Sequence, residues 1–355
     1  MAEPYASYKD EFERFSRLLK NKKEFLIVIH NNPDPDAIAS SAALGYLTRQ
    51  ISDVKPSIAY GGTIGRIENR TMISRLHIRL KQIRRIKYNK YDLIALIDTQ
   101  PCAGNNDFPA KKKCHIVLDH HPRRKDTKAD LVVIDSHLGA TATIIVSWLR
   151  QVDRPLPSDI ATALTYAISS ETQNMYREVN PADIDAYLYI YPKSSLRKLA
   201  KIINPSLPNY YFIIFVRALK NTYMYRNMAV SHLGEIPSAE FVAEIADFII
   251  RHKNISWCLC TGYKKNLLYL SLRTKHHNAS AGKIIKKIVG DVDNVGGHDM
   301  TAGGFIQLKD TQKSSIEMLV QKISVSLARK LGYSEEKIKW KPLIDEEGSL
   351  DERKE

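Results

Sequence analysis

Four apolar runs constrain this chain more than any other feature: FLIVI (Phe25 to Ile29), LIALI (Leu93 to Ile97), HIVL (His115 to Leu118) and LVVI (Leu131 to Ile134). Each is short, dominated by Ile, Val and Leu, and lacks an alternating polar face, which is the pattern of a strand buried on both sides. Helix-patterned segments accompany them, among them DAIASSAALGYLTRQI after the first run and GATATIIVSWLRQV after the last. Strands with no polar face, alternating with helices, require a mostly parallel sheet covered by helices on both faces. The expected fold class is therefore α/β.

A chain of 355 residues exceeds what one core ordinarily organises, so two domains are expected. The helical, proline-punctuated stretch YPKSSLRKLAKIINPSLPNYYFIIFVRALKN reads as a linker. A second alternating unit follows: NMAVSHLG, SAEFVAEIADFIIRHK, a hairpin SWCLCTGYKKNLLYLSLRT turning near Lys264 to Asn266, then ASAGKIIKKIV, VGGHDMTAGGFI and a helix from about Gln312 to Leu331. The expected division is a first domain over 1–192, a helical linker over 193–220, a smaller α/β C-terminal domain over 221–335 and a charged tail over 336–355.

Hydrophobic residues make up 44% of the chain and charged residues 26%, a globular composition and not a disordered one. The N-terminal stretch is too polar for a signal peptide, and YYFIIFV, the longest apolar run, is far short of a membrane span. Cys102, Cys114, Cys258 and Cys260 sit at no zinc-type spacing. Their usage suits a reducing cytoplasm, the expected localisation. Lys and Arg outnumber Asp and Glu by 53 to 39, which favours a polyanionic partner, with a solvated basic surface as the plainer explanation. The excess is densest from Arg66 to Lys90, with nine basic residues against one Glu. That segment also has Ile73, Leu76, Leu80 and Ile83 at helical spacing, so it reads both as an amphipathic helix and as a tracker of substrate phosphates.

Each apolar run ends on residues that carry chemistry. His30, Asp34 and Asp36 follow the first, Asp98 the second, Asp119, His120 and His121 the third, and Asp135 the fourth. In an open parallel sheet these positions face one crevice outside the carboxyl ends of the strands. Taken singly, an aspartate after a strand caps a helix or turns a loop, and Asp36 is placed to cap a helix beginning at Ala37. Taken together, the carboxylates would repel one another unless divalent cations neutralised them. Imidazole with carboxylate suits Mn²⁺, and oxygen-rich octahedral sites also admit Mg²⁺. Pro33 and Pro35 hold the aspartate-bearing loop extended.

HNNPDPDAIAS, LIDT and VLDHHP resemble the first three motifs of the DHH phosphoesterase superfamily, named for the triplet seen here as Asp119, His120 and His121. LYLSLRT and VGGHDMTAGG resemble the DHH-associated C-terminal domain of its RecJ-like, nanoRNase-like branch, so the resemblance runs from about Phe25 to Leu331. It implies two divalent metal ions, Mn²⁺ first and Mg²⁺ as the alternative. His30, Asp34 and Asp98 would hold one; Asp36, Asp98, His120 and Glu171 would hold the other, with Asp98 bridging. It further implies that Asp119 orients a histidine and that His121 faces the substrate phosphate, which makes Asp98, Asp119 and His121 the catalytic set. Arg273, Gly296, Gly297 and His298 would join His121 in binding substrate. Two such cations activate a water and stabilise both oxygens of an in-line displacement at phosphorus, so no protein nucleophile is needed.

Three positions depart from the family pattern: Glu171, in SSETQ, stands where an aspartate is usual; Pro35 replaces a glycine; and two glycines, not three, precede His298. The implied function is a metal-dependent phosphodiesterase that trims short oligonucleotides to nucleoside monophosphates, with phosphoadenosine phosphate or cyclic dinucleotides as further substrates. Glu171 invites the alternative of a catalytically weakened nucleic-acid-binding protein in a replication or repair assembly, and a pyrophosphatase fits the metal motifs alone. The expected partner is a short single-stranded oligonucleotide or a linear or cyclic dinucleotide; homodimerisation is allowed for, and no membrane is involved.

Overall fold

The computed structural model describes residues 8–176, 179–276, 279–290, 294–297 and 300–344, and divides into two compact units between Ser206 and Leu207. The first unit runs α1 (Lys9–Leu19), β1 (Glu24–Ile29), α2 (Pro35–Ile51), β2 (Lys55–Tyr60), α3 (Ile67–Arg75), β3 (Leu80–Gln82), β4 (Leu93–Ile97), β5 (Ile116–Asp119), β6 (Leu131–Ile134), α4 (Thr141–Leu149), α5 (Ser158–Glu171), α6 (Pro181–Ile190) and α7 (Leu196–Ile203). Its sheet has the order β3-β2-β1-β4-β5-β6, and every neighbouring pair is parallel. The four apolar runs are its central and adjoining strands, as expected.

Alternate residues of β1 enter different cores. Phe25, Ile27 and Ile29 pack with the helices, including Phe15 of α1 and Trp148 of α4, whose rings stack at 5.1 Å. Leu26 and Val28 face the other way, against Leu96, Val117, Ile83, Phe108 and Cys114. That second face is covered by the connections around β3, β4 and β5, not by an α-helix among the described residues. The reason lies in the sequence of the β4–β5 connection, where PCAGNNDFP has too many turn formers to hold a helix.

The helix expected from Ile73 to Ile83 does not run. α3 closes at Arg75, His77 takes a left-handed φ of 54°, and the chain enters the edge strand β3. Pairing of β3 with β2 outweighs the helical spacing of its apolar residues. α2 begins at Pro35 with Asp34 as its cap, so the helix-capping aspartate is Asp34 and not Asp36. Proline at the first helical position suits a site whose N–H has no intrahelical partner.

The second unit runs α8 (Asn209–Lys220), β7 (Thr222–Tyr225), β8 (Met228–Glu235), α9 (Glu240–Ile249), β9 (Trp257–Lys264), β10 (Leu267–Thr274), α10 (Ala281–Val289), β11 (Val295–Gly297), β12 (Thr301–Gln307), α11 (Lys313–Lys330) and β13 (Lys341–Pro342). Its sheet, β11-β12-β10-β9-β8-β7-β13, is mixed, with β8 and β9 parallel and the other pairs antiparallel. The stretch read as a linker holds two helices: α7 buries Leu199 and Ile202 in the first unit, and α8 buries Tyr211, Ile214 and Ala218 in the second. Cys258 and Cys260 are buried and free on β9. No helix among the described residues is long and apolar enough to cross a membrane.

Candidate metal centre

The parallel sheet brings the ends of β1, β4 and β5 to one edge, and two compact ligand sets form there. His30, Asp34 and Asp98 make one, and Asp98, His120 and His121 the other; within each set the ligand atoms lie within 4.8 Å of one another. Asp98 belongs to both. Its Oδ2 is 3.5 Å from His30 Nε2, while its Oδ1 is 3.6 Å from His120 Nε2 and 3.8 Å from His121 Nδ1. His30 Nε2 also lies 3.3 Å from Asp34 Oδ2. Asp98 is buried and sits just past β4 with a φ of 59°, a left-handed conformation that costs a non-glycine residue energy and is held by the surrounding structure.

His30 and His120 are each held from behind. The Nδ1 of His30 is 2.9 Å from the Asn31 carbonyl and that of His120 is 3.2 Å from the Leu138 carbonyl. A carbonyl only accepts, so Nδ1–H donates in both rings and Nε2 is left facing the carboxylates. His120 Nε2 is buried and has no hydrogen-bond partner. A buried acceptor aimed at a carboxylate, with no donor between them, fits a cation and little else.

Asp34 fixes its own position by accepting from Ala37 N through Oδ1, which leaves Oδ2 for His30. Asp119 accepts from Nδ1–H of His121 at 2.9 Å and from the backbone N–H of His120, so the histidine it orients is His121. His121 is about half exposed and open to a ligand. Asp36 and Glu171 fall in neither compact set. Asp36 is buried, with its oxygens accepting from Ser40 Oγ, Thr141 N and Ala142 N at 2.7–2.9 Å, so the positive end of α4 faces it. Asp135 accepts from Tyr8 Oη and His137 N, away from both sets.

The electrostatics show what the cluster lacks. Burial, then the charge of Asp98, pushes Asp36 up to about 7. Burial and repulsion from Asp34, Asp36 and Asp98 drive Glu171 well above the usual carboxylate range, which sets it beside the cluster even though it is outside the compact sets. The hydrogen bond to Asp119 raises His121 to about 9, against the effect of burial. Burial would depress His30, yet Asp34 and Asp98 outweigh it and hold the ring well above its ordinary value. In the metal-free chain, protons therefore do the neutralising that divalent cations would do.

Two supporting residues were not legible from motif spacing. Thr141 Oγ1 donates to Asp98 Oδ1 at 2.8 Å. Gln100 Nε2 donates to Asp119 Oδ2 and the Pro122 carbonyl, while its Oε1 accepts from Arg124 N and Thr127 Oγ1. Gln100 thus ties the residues after the histidine pair to Asp119. Gln100→Ala is expected to lower Mn²⁺ affinity or turnover by about 10–100-fold, the usual cost of losing a group that orients a metal site. Mn²⁺ titration with turnover measured in parallel checks it; unchanged values would show that Asp119 is held without Gln100.

In the second unit, Arg273 is mostly buried, and its Nε donates to Asp247 Oδ1 while Nη1 donates to Ser271 Oγ. Gly297 has a packing reason, since a Cβ there would meet the Thr301 carbonyl oxygen at 2.3 Å. Gly296 has none: a Cβ would meet nothing nearer than Lys286 at 4.0 Å. His298 lies outside the described residues.

Residues 24–168 match the DHH family, N-terminal domain. The first unit thus carries a DHH family, N-terminal domain. It is 32% identical over 324 residues to an uncharacterized protein of Methanocaldococcus jannaschii, covering 89% of this chain and 66% of that protein. It is 28% identical over 148 residues to a probable manganese-dependent inorganic pyrophosphatase of Lactobacillus gasseri, covering 41% of this chain and 47% of that one. The chain thus spans about two thirds of the first relative and about half of the second. Its fold is that of a crystal structure of an exopolyphosphatase-related protein from Bacteroides fragilis, with a TM-score of 0.70 at 14% identity, covering 90% of this chain and 97% of that one.

Proposed function

We propose that this DHH-family protein is a manganese-dependent phosphodiesterase that hydrolyses short oligonucleotides to nucleoside monophosphates. The observation that carries the metal-dependent part is Asp98, which turns one oxygen toward His30 and the other toward His120, while the buried Nε2 of His120 has no partner. His30, Asp34 and Asp98 would hold one cation, and Asp98, His120, Asp36 and Glu171 the other. When bound, such a pair lowers the pKa of water to near neutrality and offsets charge on the attacking and leaving oxygens.

The chain's own residues supply placement. Asp98, fixed by Thr141, keeps its two carboxylate oxygens directed at different histidines. His121, held by Asp119 and half exposed, is placed to donate a hydrogen bond to a phosphate oxygen. Asp119 holds that ring in its donating orientation without touching the phosphate. In the second unit, Gly296 leaves open space where a side chain would stand, which supports close approach of a nucleotide along β11. Arg273 and His298 complete the proposed clamp; for Arg273 this requires sharing its guanidinium between Asp247 and a phosphate.

Product analysis tests the reading. Labelled two- to five-residue RNA and DNA incubated with Mn²⁺ should yield mononucleotides that accumulate stepwise from one end; uncut oligonucleotides would refute it. A second reading, hydrolysis of inorganic pyrophosphate, is favoured by the likeness to probable manganese-dependent inorganic pyrophosphatases. Orthophosphate released from pyrophosphate, with oligonucleotides left intact, would select it instead.

A further inference from the structure

The edge of the first sheet opposite the metal centre carries a row of cations. In a parallel sheet all strands start at one edge, and the register aligns those starts: Glu24 pairs with Lys55, Phe25 with Leu93, and Ile116 with Ala95 and Leu131. Tracing each strand back to its beginning brings Lys22 and Lys23 (β1), Lys55 (β2), Lys90 (β4) and Lys112 (β5) to this rim. All five are exposed, and none forms an ion pair among the described residues. Four adjacent strands spaced about 4.8 Å apart make a row about 14 Å long.

The acids on the same edge do not cancel it. Asp92 is occupied by the backbone N–H groups of Lys23 and Glu24, and Asp130 pairs with Lys113; Glu24 and Asp53 remain. Helix C-termini do not account for the row either. Such termini attract cations, and Arg17 and Arg49 occupy the last turns of α1 and α2. Lys90 and Lys112, however, lie in connections that contain no α-helix. Lys87, Lys90 and Lys112 line an open concavity of about 640 Å³ with Tyr88 and Asn89.

We propose that this rim is a second nucleic-acid-binding surface, separate from the metal centre, that holds the phosphate backbone of a strand longer than the cleaved substrate. A linear row of ammonium groups, each able to neutralise one phosphate, suits an extended polyanion. An anionic membrane is the weaker match. The exposed large hydrophobics of the described chain begin at Tyr176, so the rim has no apolar anchor to bury in a bilayer. The strand between the two places, Leu93 to Asp98, spans about 17 Å. A dinucleotide at the metal centre therefore cannot also lie along the rim.

The test uses the full chain. The triple variant Lys23→Glu, Lys90→Glu, Lys112→Glu is compared with wild type for binding a fluorescein-labelled 20-nucleotide single-stranded DNA in EDTA, and for Mn²⁺-dependent turnover of a dinucleotide. Binding at 100 mM KCl is expected to weaken more than tenfold, and the salt slope, about −3.5 if five phosphates are contacted, to fall in magnitude by about 2. Dinucleotide turnover should stay within twofold. A charge-matched variant on α11, Lys313→Glu, Lys322→Glu, Lys330→Glu, should bind more nearly like wild type. Undiminished binding, an equal loss in the α11 variant, or loss of phosphatidylserine-vesicle binding in place of DNA binding would overturn the proposal. A wild type that binds the strand but cuts no dinucleotide would refute the proposed activity and leave the rim standing.

Discussion

Asp98→Asn is expected to abolish measurable hydrolysis, lowering turnover by more than the 10²–10³-fold or so that follows removal of a single transition-state donor. The side chain serves both ligand sets at once, so one substitution impairs both, whereas Asp34→Asn should impair mainly the set containing His30. Asparagine keeps the shape and can still accept from Thr141 Oγ1. The fold should therefore survive, and circular dichroism of the variant should match wild type. Metal content after dialysis against Mn²⁺ separates cause from consequence: the variant should hold less of the ion than wild type. A variant that retains both activity and metal would show that Asp98 is not the bridge.

The second large effect is on stability. Mn²⁺ at about a hundred times its dissociation constant should add about 2.7 kcal/mol to the folded state. For a unit of this size that is a rise in Tm of about 5–10 °C, read by differential scanning fluorimetry. The increment should grow with pH. Without metal, Asp36 is raised from 3.8 to about 7 by burial and by Asp98, so its contribution to stability is present below pH 3.8 and is lost as pH rises to about 7. Glu171 acts in the same direction, and His121 extends the loss toward pH 9. Asp119 works the other way: burial opposes its ionisation, but the bond from His121 lowers its pKa, so its contribution appears above the ordinary carboxylate range and fails in acid. The raised groups outnumber it. The metal-free Tm should therefore fall between pH 5 and 9, while the Mn²⁺-bound Tm changes less; a metal-free Tm that rises across that window would contradict the crowded-carboxylate account.

The proposed bridging role of Asp98 rests on its geometry. Its backbone is left-handed just past β4, and one carboxylate oxygen faces His30 while the other faces His120. Thr141 comes from a helix 43 residues further on and holds Oδ1. The same helix start supplies the N–H groups that bind Asp36. Asp36 is thus tied to α4 as well as adjacent to Asp98, and Asp36→Ala should affect folding as well as metal binding.

Sequence alone determined the strands, the parallel sheet and the edge on which His30, Asp98 and the histidine pair meet, because unbroken Ile, Val and Leu runs have one stable setting and parallel strands share one carboxyl edge. It also carried the hairpin of β9 and β10, fixed by local turn chemistry and pairing. Tertiary structure alone decided which carboxylate caps α2, which histidine Asp119 orients, that Gln100 and Thr141 support the site, and that Arg273 is engaged by Asp247. The side chains of Gln100, Thr141 and Arg273 reach partners up to 43 residues away in the chain and meet them only through strand order and helix placement. Spacing along the sequence records a residue's own strand or helix, whereas a hydrogen bond between elements depends on how those elements pack.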